Sequence, residues 1–236
     1  TLYNSDMSNP SGINSLNFSN NPKMIDISSN HSNISSIDIS NCNNLNALLL
    51  WDSSNLSGTL DISHIRSTAD VRVGGTGITC LEVNNEQMNR RDLLLESSSG
   101  GAGGTTGLFS MNWSIVSTDC SDPSSALFSY NYDVKTNSGN NSNYLIEITD
   151  SSGTITMSDP RLHLKVGETI TFNVTSPDHP FYLKTVQGTG TNELVAGITN
   201  NGTTSGTISW TPTTAGTYYY QCSNHYSMYG TIQVNN

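Results

Sequence analysis

The strongest constraint on this chain is a recurrence of apolar pairs, two residues apart, through residues 13–95. The pairs are Leu16/Phe18, Ile25/Ile27, Ile37/Ile39, Leu48/Leu50, Leu60/Ile62, Val71/Val73, Leu81/Val83 and Leu93/Leu95, and they return about every 11 residues. Residues two apart share one face of an extended strand. Strands this short, separated by Asn and Ser turns, cannot bury that face alone, so the units must stack. The pattern predicts minimal strands and no helix anywhere. A sandwich of short strands is the alternative, since strands at this spacing also suit one.

The phase of the pattern narrows the choice. Ile13-x-x-Leu16-x-Phe18-x-x-Asn21 and Ile34-x-x-Ile37-x-Ile39-x-x-Cys42 carry an Asn or Cys where a side chain can satisfy backbone groups inside the turn. Leu45-x-x-Leu48-x-Leu50 and Ile78-x-x-Leu81-x-Val83 fit the first half of the same pattern. The stretch resembles a leucine-rich repeat solenoid, in particular bacterial surface proteins with coils of about 21 to 22 residues and a short strand on both faces. Two of the units would make one coil. The fit decays after Leu60, where Ile65, Thr76 and Glu86 take the Asn position.

A Gly/Ser-rich stretch at 97–107 reads as a linker that ends the first domain, residues 1–96. Residues 108–142 hold two expected strands, Leu108–Val116 and Ala126–Lys135, with Cys120, Asp122 and Pro123 in a turn between them; their allegiance is open. From 143 to 236 the pattern is all β. Expected strands are Tyr144–Thr149, Leu162–Val166, Thr169–Val174, Phe181–Val186, Gly206–Trp210, Thr217–Cys222 and Thr231–Val234, which suits a Greek-key sandwich. The fold class expected is therefore mainly β, a short-strand solenoid followed by a sandwich.

Within that sandwich, Cys222, His225 and Met228 follow one another at intervals of three, directly after a tyrosine-rich strand. His179 lies at the edge of another. Two imidazoles and a thiolate with a weak thioether above them select copper and tune it for one-electron transfer. A rival reading takes Gly216-Thr-Tyr-Tyr-Tyr-Gln-Cys222 as an immunoglobulin-like strand with Tyr two residues before a core cysteine. That cysteine would need a partner between Ala126 and Gln221, where none exists, and His225 and Met228 would be idle.

Asp178-His179-Pro180-Phe181 and Cys222-Ser-Asn-His225-Tyr-Ser-Met228 resemble the cupredoxins, the family of plastocyanin, azurin and amicyanin, over roughly residues 143–236. The resemblance implies copper ligation by His179, Cys222, His225 and, axially, Met228, with the short amicyanin-type loop. Leu162–Phe172 matches the family's early strand-turn-strand, with Gly167 at the turn. Pro180 stands where many members carry an Asn that ties the ligand loops, a departure that bears on potential and rigidity. His163 lies outside the motif and reads as a surface strand residue.

Charge narrows the function. Nine Lys and Arg against nineteen Asp and Glu give −10, and no basic cluster exceeds Arg90 and Arg91, which excludes nucleic acid. No apolar run approaches the ~20 residues of a membrane span. The charged fraction is 12%, half the roughly 25% of ordinary soluble domains, so the surface is polar but mostly uncharged. The five histidines never form His-x-His and Cys222 has no nearby second cysteine, so a multicopper oxidase or dinuclear site is not expected, and the protein reads as a carrier rather than an enzyme. Cys42 reads as a buried thiol. Cys80 and Cys120 pair if the end of the repeats meets the segment after the linker, which geometry decides.

The leading expectation is a copper protein for electron transfer or copper carriage at an extracellular, periplasmic or particle surface, with the repeats for attachment. Its partner would be a redox protein or a surface ligand, within a larger assembly or longer chain, a view that the start at Thr1 without Met suits. The alternative is an adhesion or virion structural protein in which copper is structural or incidental; cupredoxin-like modules in large marine surface and phage-particle proteins look similar.

Overall fold

The computed structural model describes residues 2–3, 13–96, 108–109, 115–121, 127–136, 142–151 and 153–236. The expected linker at 97–107 lies outside them. The chain forms two compact units, Thr1–Ala126 and Leu127–Asn236.

The first unit is built from short strands: β1 (Leu2–Tyr3), β2 (Ser15–Asn17), β3 (Asp26–Ser28), β4 (Ser36–Asp38), β5 (Ala47–Leu49), β6 (Ser57–Asp61), β7 (Asp70–Arg72), β8 (Gly77–Glu82), β9 (Leu108–Phe109) and β10 (Val116–Ser117). The chain alternates between faces. Odd strands form one sheet, β1-β3-β5-β7-β9, and even strands form β2-β4 and β6-β8-β10. Every pairing is parallel, with Ile27 against Leu48 and Leu48 against Val71 on one face. On the other, Leu16 lies against Ile37 and Leu60 against Leu81. The second member of each apolar pair from Phe18 to Val83 is buried, each worth about 1.5–3 kcal/mol relative to exposure. The first members are less uniform: Ile25 is 49% exposed.

Parallel stacking leaves turn carbonyls facing inward, and side chains one layer on satisfy them. Cys42 Sγ donates to Phe18 O and Asn21 O at 3.5 and 3.7 Å. Gln87 Nε2 repeats the arrangement on Ile62 O and Ile65 O at 2.9 and 3.2 Å. Buried Ser53 donates to Ser29 O at 2.8 Å.

One expectation fails here. Residues expected to be strand at Leu93/Leu95 lie in a helix, α1 (Asn85–Glu96). The reason is a reciprocal cap: Gln87 N–H donates to Asn84 Oδ1 at 2.9 Å and Asn84 N–H to Gln87 Oε1 at 2.8 Å, which satisfies two first-turn donors and starts a helix. Cys80 and Cys120 form a disulfide, while Cys42 and Cys222 are free and buried. No helix among the described residues is long and apolar enough to cross a membrane.

The second unit is a β-sandwich of β11 (Ser129–Thr136), β12 (Tyr144–Asp150), β13 (Gly153–Ser158), β14 (Leu162–Lys165), β15 (Thr169–Thr175), β16 (Phe181–Lys184), β17 (Ser205–Trp210), β18 (Gly216–Cys222) and β19 (Tyr229–Asn235). One sheet runs β13-β12-β11-β15-β17 and the other β14-β19-β18-β16. The unit starts at Leu127 rather than at residue 143, because β11 pairs with both β12 and β15. The segment of open allegiance thus divides, with β9 and β10 in the first unit. Alternation points Tyr130, Tyr132, Val134, Ile170, Phe172 and Val174 inward, all buried. Across the core Phe181 stacks on Tyr220 at 5.5 Å and meets Phe172 at 4.9 Å. Gly167 makes the expected turn with φ +89°. Gly230 is needed for a different reason: a Cβ there would fall 2.1 Å from the Tyr220 ring, its cross-strand neighbour.

Candidate metal centre

Three elements converge at one end of this sandwich. Cys222 is the last residue of β18, His225 and Met228 occupy the turn to β19, and His179 precedes β16. Pairing of Phe181 with Cys222 sets His179 beside the thiol. The turn closes on itself: Cys222 N–H donates to Met228 O at 3.0 Å and Met228 N–H to His225 O at 3.2 Å. A tight turn therefore delivers a thiol and an imidazole from one side, and the neighbouring strand brings the second imidazole.

The three donor atoms face one another. His179 Nδ1 and His225 Nδ1 are 3.2 Å apart, and Cys222 Sγ lies 3.5 Å from the second and 3.9 Å from the first. One ion bound at about 2.0 Å to nitrogen and 2.3 Å to sulfur sets its donors about 3.3 to 3.7 Å apart, so the spacing fits. His179 and Cys222 are buried, at 7% and 0% exposure. Burial, then the charge of His225, lowers the pKa of His179, with Asp178 opposing. Both effects favour the neutral imidazole that a metal ligand must be. Met228 is wholly buried within the same turn. Of the expected site residues, the structure thus brings His179, Cys222 and His225 within 4.8 Å of one another through their ligand atoms. The donor chemistry, two imidazoles and a thiol with His179 and Cys222 buried and His225 half-buried, points to one copper ion.

Several supports escaped the sequence reading. Tyr144 O–H reaches His179 O at 3.2 Å and Pro180 O at 2.9 Å. Burial first, and then the neighbouring Cys222, push its phenol pKa upward, so it stays a donor. Ser176 O–H donates to His179 O at 2.8 Å. Asn224 Nδ2 donates to Asp178 O at 3.2 Å, tying the two ligand segments together as the residue at Pro180 cannot. Gln221 Nε2 donates into the turn from beneath. Buried Lys184 binds Gly188 O and Gly190 O at 2.5 and 3.2 Å. Gly190 N–H in turn reaches Ser223 O at 2.8 Å. These residues act through backbone carbonyls, which every residue offers, so spacing could not reveal them. His163 stays outside the cluster, on β14.

No protein-family model and no curated protein matches the sequence. Among solved structures, reduced rusticyanin aligns at 20% identity and a TM-score of 0.31 over 45% of this chain and 79% of its own. Rusticyanin from Thiobacillus ferrooxidans aligns at 18% identity and 0.32 over 64% and 92%. At those scores the likeness decides nothing; the fold stands on strand order and the site on donor geometry.

Proposed function

We propose that the second unit is a type 1 copper module of cupredoxin kind that exchanges single electrons outside the cytoplasm. One observation carries the reading: His179 Nδ1, His225 Nδ1 and Cys222 Sγ already stand 3.2 to 3.9 Å apart. These three would hold the ion, and the buried Met228 thioether would be the fourth candidate ligand. When bound, copper supplies a one-electron couple. The residues supply the rest. Strand ends and the closed turn fix the donors, so little need move between oxidation states. Burial of Cys222 and His179 keeps water from the thiolate. His225 is less buried than His179 and sits beside Tyr226, which is 66% exposed, and that side is the edge through which an electron would pass.

The Cys80–Cys120 disulfide supports an oxidising compartment. The first unit, with its parallel alternating strands and about 21-residue layers, supports the leucine-rich-repeat-like reading and a role in attachment; a redox protein or a surface ligand is its proposed partner class.

Copper(II) addition to the full chain tests the site. An intense thiolate-to-copper band with narrow hyperfine splitting is expected, and Cys222→Ala should lack it. A colourless protein whose loose copper does not depend on Cys222 would reject the reading. Irreversible reduction in voltammetry would keep the metal but move its role to structure, as in a surface or virion component.

A further inference from the structure

Gln221 stands between Tyr220 and Cys222 on β18 and is completely buried. Strand alternation turns its neighbours toward the sandwich core and Gln221 away from it. Its amide nitrogen faces the metal turn. Its Nε2 lies 3.1 Å from Cys222 O, 2.8 Å from His225 O and 3.1 Å from Met228 O, with Tyr226 O at 3.5 Å. The carbonyls of all three candidate ligand residues in the turn are gathered on one amide nitrogen. The opposite amide orientation would set Oε1 against those oxygens, so the carbonyls fix which way the group points.

The other end of the side chain is left without reward. Gln221 Oε1 is buried and meets no donor among the described residues. A buried polar atom without a partner is a cost, and Met or Leu would fill the same space without it. The amide therefore earns nothing by packing; its distinctive property is the N–H set aimed into the turn.

The geometry points to Gln221 as a positioning residue that holds the Cys222–Met228 turn in its metal-ready shape before any metal arrives. This rests on the copper reading for its purpose, but not for its test. The two N–H groups of Nε2 are shared among the carbonyls of Cys222, His225 and Met228, so one strand residue holds together the backbone that carries the thiol, imidazole and thioether. Preorganisation of this kind keeps ligands oriented and affinity high.

The test compares the full chain with Gln221→Met, which keeps the shape and loses the donors, and Gln221→Leu. Hydrogen–deuterium exchange of residues 223–229 is read in metal-free protein, beside thermal unfolding. Both variants should unfold at or above the wild-type temperature while the turn exchanges at least tenfold faster. Loaded with copper(II), both should show altered hyperfine splitting and faster loss of copper to a chelator. A wild-type rate of turn exchange in Gln221→Met would overturn the role, since packing alone would then suffice. Faster exchange that merely follows a general loss of stability would overturn it too. If the wild type takes no copper yet its turn is protected and the variants' turns are not, the copper reading fails and the positioning role stands.

Discussion

At the scale of single residues, the ligand side of the site was legible and its support was not. Asp159 belongs to the support. Its carboxylate accepts Tyr144 N–H at 2.9 Å and Asn143 Nδ2 at 2.7 Å, at the start of the strand whose Tyr144 holds the His179 carbonyl. Burial dominates those bonds and raises its pKa from 3.8 to about 6. A carboxyl held protonated by folding favours the folded state below its unfolded pKa, and that contribution is lost as pH rises to the folded value. Wild-type stability should therefore fall between about pH 4 and pH 6 by up to about 3 kcal/mol from this group, less what solvent screening removes at a part-exposed carboxyl. His179, with its lowered pKa, works in the opposite sense. The difference between wild type and Asp159→Asn in urea unfolding across that interval isolates Asp159, and a constant difference would refute the assignment. Spacing exposed Cys222 and His225, and the strand-edge motif exposed His179, because metal chemistry restricts residue type. Neither could expose Tyr144 or Asn224, whose partners here are backbone carbonyls, nor Asp159, which binds the neighbouring Tyr144 N–H and the Asn143 amide.

At the scale of elements, period-2 pairs located the strands of the first unit from Leu16 to Val83, because each strand is short and buried on one face. The same rule misread Leu93/Leu95. Asn84-x-x-Gln87 is a helix-start signal, and it outweighs a periodicity drawn from two residues. In the sandwich, β13 was missed although Ile155 and Met157 alternate with threonines, because a single apolar pair that is only half-buried on an edge strand is a weak signal. β11 was found but not assigned, since only its pairing with β15 decides its sheet. The cap gives a direct check. Asn84 also donates to Ser63 O at 2.8 Å, so Asn84→Ala removes the helix cap and a bond to the previous layer together. A loss of about 1–2 kcal/mol is expected, with reduced helical circular dichroism. An unchanged unfolding midpoint would show that α1 is held by packing alone.

At the scale of the whole molecule, two units with separate cores carry separate stabilising devices. The first has its disulfide, Cys80–Cys120, across a sequence separation of 40. Constraining an unfolded loop of that length is worth about 4 kcal/mol in the chain-entropy account. The sequence left this pair open because whether β8 lies near the segment after β10 depends on parallel pairing, Leu81 against Val116, which no local pattern encodes. The second unit has no disulfide, and its free thiol is the one at the metal centre. Replacing both Cys80 and Cys120 by Ser should therefore weaken the first unit by up to about 4 kcal/mol and leave the second untouched. Denaturant unfolding of the copper-loaded chain reads both, since the thiolate-to-copper band reports the second unit and far-ultraviolet circular dichroism the two together. The double variant should show an early circular dichroism transition while the coloured band is lost at the wild-type midpoint. If band and dichroism moved together, the two units would unfold as one, and the disulfide would be supporting the metal centre as well as the repeats.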